Sequence, residues 1–513
     1  MSAGSPDPIE VRPRRRGVFA GAAVGVLALL AFVVAKAVFA PRAPAVAVGP
    51  NVPGVVLIVV DTLRADALEA DATTDGLART RAWARTATTF RHAIATSSWT
   101  APSVASILTG RLPTAHGVIE VGPRTRLAAS VRSLATMLRE AGFATAACTG
   151  GGWVSPGAGF AAGFDRFDVD FDEQEPADAI ARLRAGNPSG RPFFWMLHTY
   201  AAHDPYGDRF AAARRRCAGD PSPGAHALAD AMRRGAVTPT MRQAFLREML
   251  ASPCGRMAVT REVGVTRATK FWLDDCRPFL DGGWRTEEGG TETVAHLREA
   301  YRAGLRHVDD RLAATLDAID RLPAGTVVVL VGDHGEAFGE HDMLYHGRFV
   351  FPEMVHVPLL VRAEGLPRGG VVDTPCSLTD LAPTVLELAG VPVPAGLDGV
   401  SLRHATRPDA RPRALVSVVA PGVTPDDAVD AHLRRVAVRD AAWTWTSVLD
   451  TATGVWGPDV WFDRVRDPGE HRPLATAPGP DEAAEVYAAR AREREALERR
   501  LHGGRGTARV SGS

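Results

Sequence analysis

Three runs of β-branched and aliphatic residues limit what this chain can become more than any other feature. They are Val55-Val-Leu-Ile-Val-Val60, Phe193-Phe-Trp-Met-Leu-His198 and Thr326-Val-Val-Val-Leu-Val331. None alternates apolar with polar residues, so each predicts a strand buried on both faces, as in a parallel sheet covered by helices. Each run also gives way to polar residues at its carboxyl end: Asp61 after the first, His198 and then His203 after the second, and Asp333-His334-Gly335-Glu336 after the third. Open α/β sheets bind their ligands just outside such strand ends. An adjacent Asp and His beside glycines can ligate one divalent metal from a single strand end. Two histidines in a short loop can bind an oxyanion or a metal. The plainer alternatives are that Asp61 caps the next helix and that the loop histidines are simply solvated.

Between the first two runs lies Ser98-Trp-Thr-Ala-Pro-Ser-Val-Ala-Ser-Ile-Leu-Thr-Gly110. Thr100 and Ser103 flank Pro102, and small and apolar residues run up to Gly110, which predicts a helix that starts near proline and stops at glycine. A hydroxyl in its first turn sits among unpaired N–H groups at the positive end of the helix dipole, where a phosphate or sulfate is favoured. Thr100 is the candidate nucleophile. The alternative is that Thr100 or Ser103 serves only as an N-cap.

Helix and strand alternate further along, with a helix over Val131–Ala141 and a strand over Phe143–Cys148. Residues 208–290, rich in Arg and Ala, break that rhythm and read as an insertion near the site mouth, with a helix over Thr240–Ala251. The stripe Leu297, Tyr301, Leu305, Val308, Leu312, Leu316 and Ile319 predicts the core face of a long helix. Past His341 and His346, Val357–Arg362 reads as one more strand, and Ser377–Asp380 opens a helix through Leu388, with Asp380 a cap rather than a ligand. From about Leu402, Val436–Val438 and Trp443–Trp445 predict a small antiparallel sheet. A charged helix over 481–501 follows, its charges on a solvated face, with a disordered end from Gly503. The expected fold is therefore α/β: a mostly parallel central sheet flanked by helices over 54–401 (with 208–290 inserted), a small C-terminal antiparallel subdomain over 402–480, and a helix and tail over 481–513.

At the amino terminus, Gly17 to Ala35 is uninterruptedly apolar, with Arg12, Arg14, Arg15 and Arg16 before it and Lys36 and Arg42 after it. A stretch of about this length can span a bilayer. The heavier positive charge in front assigns residues 1–16 to the cytoplasm and the bulk of the chain to the other side. Residues 17–40 are thus a single-pass transmembrane anchor or, given Val38-Phe-Ala40, a cleaved signal, and 41–53 is a linker. Lys+Arg and Asp+Glu balance at 59 each, which leaves no basic footprint for nucleic acid. Cys148, Cys217, Cys254, Cys276 and Cys376 form no zinc-ligand spacing, although two of the middle three could pair after export.

Taken together, Leu57-Ile-Val-Val-Asp61-Thr-Leu-Arg-Ala-Asp66, Ser98-Trp-Thr100-Ala-Pro-Ser-Val-Ala-Ser-Ile-Leu-Thr-Gly110, Gly332-Asp333-His334-Gly-Glu336, Val357-Pro-Leu-Leu-Val361 and Ser377-Leu-Thr-Asp-Leu-Ala-Pro-Thr384 resemble the sulfatase family of the alkaline phosphatase superfamily. The resemblance covers roughly Asn51 to Leu402, with a weaker echo in Trp461–Glu470. Sulfatases carry Cys or Ser within C/S-x-P-x-R and oxidise it to formylglycine. Thr100 cannot become that aldehyde, and Val104 stands at the Arg position. Thr62 replaces the second Asp of the family's Asp-Asp pair, and no Gly-Lys-x-His segment occurs between Phe143 and Val154. A Thr nucleophile is instead similar to the nucleotide pyrophosphatases and the membrane-anchored phosphoethanolamine and glycerolphosphate transferases of the superfamily, in which histidines placed like His198, His203 and His346 hold the substrate. The resemblance implies phosphoryl chemistry more than sulfate ester hydrolysis.

The resulting expectation is that Asp61, Asp333 and His334 ligate one divalent metal that also binds Thr100 Oγ. Imidazole in the set favours zinc or manganese, with calcium or magnesium as alternatives. His198, His203 and His346 would bind oxygens, protonate the leaving group or complete a second metal site. The substrate would be a small-molecule, lipid or glycan phosphate or sulfate ester. Two other readings stand beside this one: a sulfuric ester hydrolase working without formylglycine, and a catalytically inactive, glycan-binding family member. Retention of Asp61, Asp333 and His334 together argues against the last.

Overall fold

The three apolar runs become neighbouring strands in the computed structural model, which describes residues 52–69, 75–119, 126–188, 190–204, 206, 223–251, 276–280, 282–420 and 432–507. The central sheet comprises β1 (Val55–Val60), β2 (Thr88–Phe90), β3 (Ala144–Thr149), β4 (Arg166–Asp168), β5 (Phe193–Thr199), β6 (Val327–Gly332), β7 (Leu359–Arg362) and β8 (Val371–Val372). Their spatial order is β8-β2-β7-β6-β1-β5-β3-β4. Only β7 runs against the others, pairing antiparallel with both β6 and β2. β1 lies between β5 and β6, parallel to both, with Val60 level with Thr199 and with Gly332. The residues that follow these strands therefore emerge side by side at one pole.

Period-two geometry explains why β1 has no polar position. Val55, Leu57 and Val59 face a core shared with Val104, Ile107 and Leu108 of helix α1 (Thr100–Thr109). Val56, Ile58 and Val60 face a second core shared with Leu297, Leu305, Val308 and Leu312 of helix α2 (Gly290–Ile319). The helical stripe expected from Leu297 onward is thus the one that covers the second face of the sheet.

Three expectations need correction. Val357–Arg362 is not one strand: His356–Val357 pairs with Ala93–Ile94 in a separate small sheet, and β7 starts only after Pro358, which has no N–H to continue a ladder. The charged C-terminal helix α3 (Ala484–Thr507) is not simply solvated. It packs Val486, Ala489 and Leu497 onto Trp445 of a five-stranded antiparallel sheet, with Glu493 buried and Arg490 and Arg494 over aromatic rings. It also runs past Gly503 to Thr507. Asp380 does act as a cap, in a reciprocal capping box with Ser377. The apolar segment Gly17–Ala35, Cys217 and Cys254 lie outside the described residues. Among the described residues no helix is long and apolar enough to cross a membrane.

Candidate active site

Asp61 follows β1 directly and is fully buried. It caps no helix, because the next short helical turn starts at Ala65 with Arg64 in the cap position. Thr62 has φ 53°, a left-handed conformation that β-branched residues rarely adopt. This kink lets Thr62 N–H donate to Asp333 Oδ1 (3.2 Å) and Thr62 Oγ1 to the Asp61 carbonyl (2.8 Å). Tyr301 Oη, from α2, holds the Thr62 carbonyl at 3.1 Å.

Thr100 is the first residue of α1, with Trp99 in the cap position and no side-chain cap. Its Oγ1 donates to Asp61 Oδ2 (3.0 Å) and lies 3.3 Å from His334 Nε2. Ser103, the alternative cap, donates instead to the Asp333 carbonyl (2.6 Å) and locks α1 against the end of β6. Pro102 has no N–H, so the open donors of this helix start are the amides of Thr100 and Ala101.

Asp333 and His334 follow β6. Asp333 Oδ1 accepts from the amides of Thr62 and His334, while Oδ2 has no partner among the described residues. Asp61 Oδ1 is likewise buried without one. His334 Nδ1 faces the Gly335 carbonyl at 3.0 Å and so carries its proton there, which leaves Nε2 as a lone pair 3.6 Å from Asp61 Oδ1 and 3.7 Å from Asp333 Oδ2. One ligand atom from each of Asp61, Asp333 and His334 lies within 4.8 Å of the others. Two bare carboxylate oxygens and a bare imidazole nitrogen, all buried, are a donor set for one cation. Without one, burial, with the neighbouring Asp333 carboxylate, pushes Asp61 up to about 6. Burial pushes Asp333 up to about 7 and, helped by His346, His334 down to about 4.

The three other predicted histidines surround this cluster. His198, at the end of β5, is fully buried, places Nε2 3.8 Å from Asp61 Oδ2 and finds no hydrogen-bond partner among the described residues; burial holds it neutral, down to about 3. The His346 ring lies tilted beside His334 (ring centroids 4.6 Å) and edge-on to His203 (5.0 Å). His203 Nδ1 meets Asp204 Oδ1 at 2.7 Å. All the residues proposed from the sequence therefore converge on one pole. Reading the sequence missed Glu336, whose buried carboxylate orients His346 through Nδ1 (2.9 Å) and accepts from Tyr206 Oη (3.3 Å). Its signal was present, two residues beyond His334 in the same motif. Tyr200, edge-on to His198 at 4.7 Å, was missed as well. A cavity of about 910 Å³ opens at the other pole, beside Gly54, Phe193 and Val327, and none of these residues lines it.

Such a fold and cluster define a class of α/β proteins that gather a hydroxyl, carboxylates and imidazoles at the carboxyl edge of a mostly parallel sheet. The family model for sulfatases matches residues 53–391. The chain belongs to the sulfatase family, within the alkaline phosphatase superfamily. An ulvan-active sulfatase of Formosa agariphila is 28% identical over 190 residues, 35% of this chain and 35% of that protein. The matched region thus spans about a third of that relative's length. Among solved structures, a phosphonate monoester hydrolase from Silicibacter pomeroyi superposes with a TM-score of 0.57 at 22% identity, covering 87% of this chain and 95% of its own. A protein solved in complex with its substrate D-glucosamine-2-N,6-O-disulfate gives 0.60 at 18% identity, covering 88% and 99%. At these identities the likeness establishes the fold.

Proposed function

We propose that this chain is a metal-dependent hydrolase or phosphotransferase that opens phosphoester bonds through a covalent adduct on Thr100. The observation that carries this reading is the placement of Thr100 Oγ1 3.0 Å from Asp61 Oδ2 and 3.3 Å from His334 Nε2 in a wholly buried cluster. Sulfatase-family enzymes bind a divalent metal, and the orphaned Asp61 Oδ1 and Asp333 Oδ2 beside a bare His334 Nε2 fit one. Asp61, Asp333, His334 and Thr100 would hold it, with zinc or manganese suited to the imidazole. When bound, such an ion lowers the hydroxyl pKa and offsets charge on the transferring group.

Thr100 Oγ attacks phosphorus in line as its proton passes to Asp61 Oδ2, to which it already donates, and the bond to the leaving oxygen breaks. The amides of Thr100 and Ala101 donate to equatorial oxygens, as does neutral His198. His346, oriented by Glu336, or His203 protonates the leaving oxygen. Water or an acceptor alcohol then releases the adduct. Phosphorus is preferred over sulfur because Thr100 and Val104 stand where a formylglycine-forming site needs other residues. The family match and the sulfatase relative favour sulfate esters as the second reading.

Incubation with bis(4-nitrophenyl) phosphate followed by intact-mass and peptide-mass analysis tests the proposal: loss of one 4-nitrophenol should leave a 4-nitrophenylphosphoryl adduct that maps to the Thr100 peptide and is absent from Thr100→Ala. Equal adduct in both proteins would refute it. Faster turnover of 4-nitrophenyl sulfate would favour the second reading. We also infer that Gly17–Ala35 is a single-pass anchor that places the site outside the cytoplasm, on the strength of its apolar length and the arginines before it. Protease protection of intact cells or spheroplasts tests this.

A further inference from the structure

The loop after β3 brings an uncharged aromatic side chain to the active pole. β3 runs beside β5 with Thr149 level with His198, so Gly150-Gly-Gly-Trp153 leaves the sheet at the active pole. Side chains are excluded from most of this loop. A Cβ at Gly150 would lie 2.2 Å from Asp172 Oδ2, and one at Gly152 2.7 Å from Tyr200 Oη; Gly151 and Gly152 both have positive φ, 79° and 59°. The loop therefore presents no Lys or His before Trp153, and it is fixed there. Tyr200 Oη donates to the Gly151 carbonyl (3.1 Å) and accepts from Trp153 N–H (3.0 Å), while its ring touches both His198 and His203.

Trp153, half-buried, meets Trp99 edge to face at 6.1 Å. Trp99 immediately precedes Thr100 and lies 5.3 Å from His346. Gly347 keeps this place open, because a Cβ there would sit 2.0 Å from the Trp99 ring. Trp99 Nε1 is buried and has no hydrogen-bond partner among the described residues. Near the nucleophile the chain has thus set a partly exposed indole, Trp153, against a buried one, Trp99.

We propose that Trp153, with Trp99 behind it, is the specificity-determining wall of this site, and that it selects esters carrying a ring face, aryl or pyranose, over small acyclic or further charged substituents. The inference rests on the phosphoryl reading above, because it needs the anion seated at Thr100. Ring contact on an indole strengthens binding by about three- to tenfold over a methyl group, and a second anion gains nothing from an uncharged wall.

Calorimetric titration with phenylphosphonate and methylphosphonate, in the presence of manganese, isolates the ring, since the two share one anionic head. The wild-type chain should bind phenylphosphonate about three- to tenfold more tightly. Trp153→Ala should abolish that ratio with methylphosphonate affinity unchanged, and Trp153→Phe should restore it. If Trp153→Ala also loses methylphosphonate, the ratio in Trp153→Phe against Trp153→Leu decides in its place. No phenyl preference in the wild type, or an undiminished one in the aliphatic variant, overturns the wall alone. Failure of both phosphonates to bind the wild type overturns the phosphoryl reading together with it.

Discussion

Asp333 divides its work between two oxygens: Oδ1 satisfies two backbone amides, and Oδ2 is left bare beside the equally bare Asp61 Oδ1. Both carboxyls titrate higher in the folded chain, at about 7 and about 6, than their ordinary value of 3.8. Folded protein therefore holds extra protons across this window. The two carboxyls thus contribute metal-free stability that is full below 3.8 and lost as pH rises to about 6 and about 7. His198 and His334, held below 6.5, push the other way, so the carboxyl share is read as wild type against Asp333→Asn. A divalent ion competes with those protons, so its stabilising effect should grow over the same range. Thermal melts of wild type and Asp333→Asn from about pH 4.5 to about pH 8, in chelator and in manganese, check both slopes; a metal-free wild-type midpoint that does not fall relative to Asp333→Asn as pH rises through the window would contradict the assignment. Asp333→Asn removes one buried charge. In chelator at about pH 8 this variant should be more stable than wild type by on the order of a few kcal/mol, and added ion should no longer shift its melting.

At the level of elements, the site is a product of strand ends held in register, and close backbone packing maintains that register. A Cβ on Gly335 would lie 2.1 Å from the Glu353 carbonyl. Gly335→Ala should therefore displace the segment after β6, lower stability by about 1–3 kcal/mol and slow turnover by moving His334; urea unfolding and steady-state rates measure the two effects. The strands themselves were legible because burial on both faces removes every polar residue from Val55–Val60, Phe193–Leu197 and Val327–Val331. Asp61, Asp333 and His334 were legible because polarity returns abruptly where those runs stop. Two-residue pairings such as His356–Val357 with Ala93–Ile94 were not, since they depend on partners far away in sequence. Trp153 carried no local signal either: its meaning comes from Trp99 and Tyr200, which only the fold brings to it. The charges of α3 misled because Glu493 and its neighbours look alike in sequence whether they meet water or Trp445.

For the whole molecule, the C-terminal sheet is coupled to the loop that carries His346. Arg439 is buried, bonds both oxygens of Glu470 at 2.7 Å, and also reaches the Val350 carbonyl. His341, between that loop and this sheet, meets Glu353 Oε1 at 3.0 Å and the Glu470 carbonyl at 3.1 Å. Two acceptors on one imidazole favour its charged form: burial opposes it, yet Glu353 raises His341 above its ordinary value. Glu470→Gln strands the Arg439 charge and should destabilise the chain by about 3–5 kcal/mol, read by urea unfolding. Activity should fall with it if the sheet steadies the His346 loop, whereas a variant with wild-type stability would show the pair to be dispensable.

β1 has one further consequence. The chain enters the sheet at Gly54 and reaches Asp61 about 23 Å later at about 3.3 Å per residue, so its point of entry and its chemistry occupy opposite ends of the same rod. The segment that leads into β1 at Gly54 therefore lies at the pole remote from Asp61, Thr100 and His334.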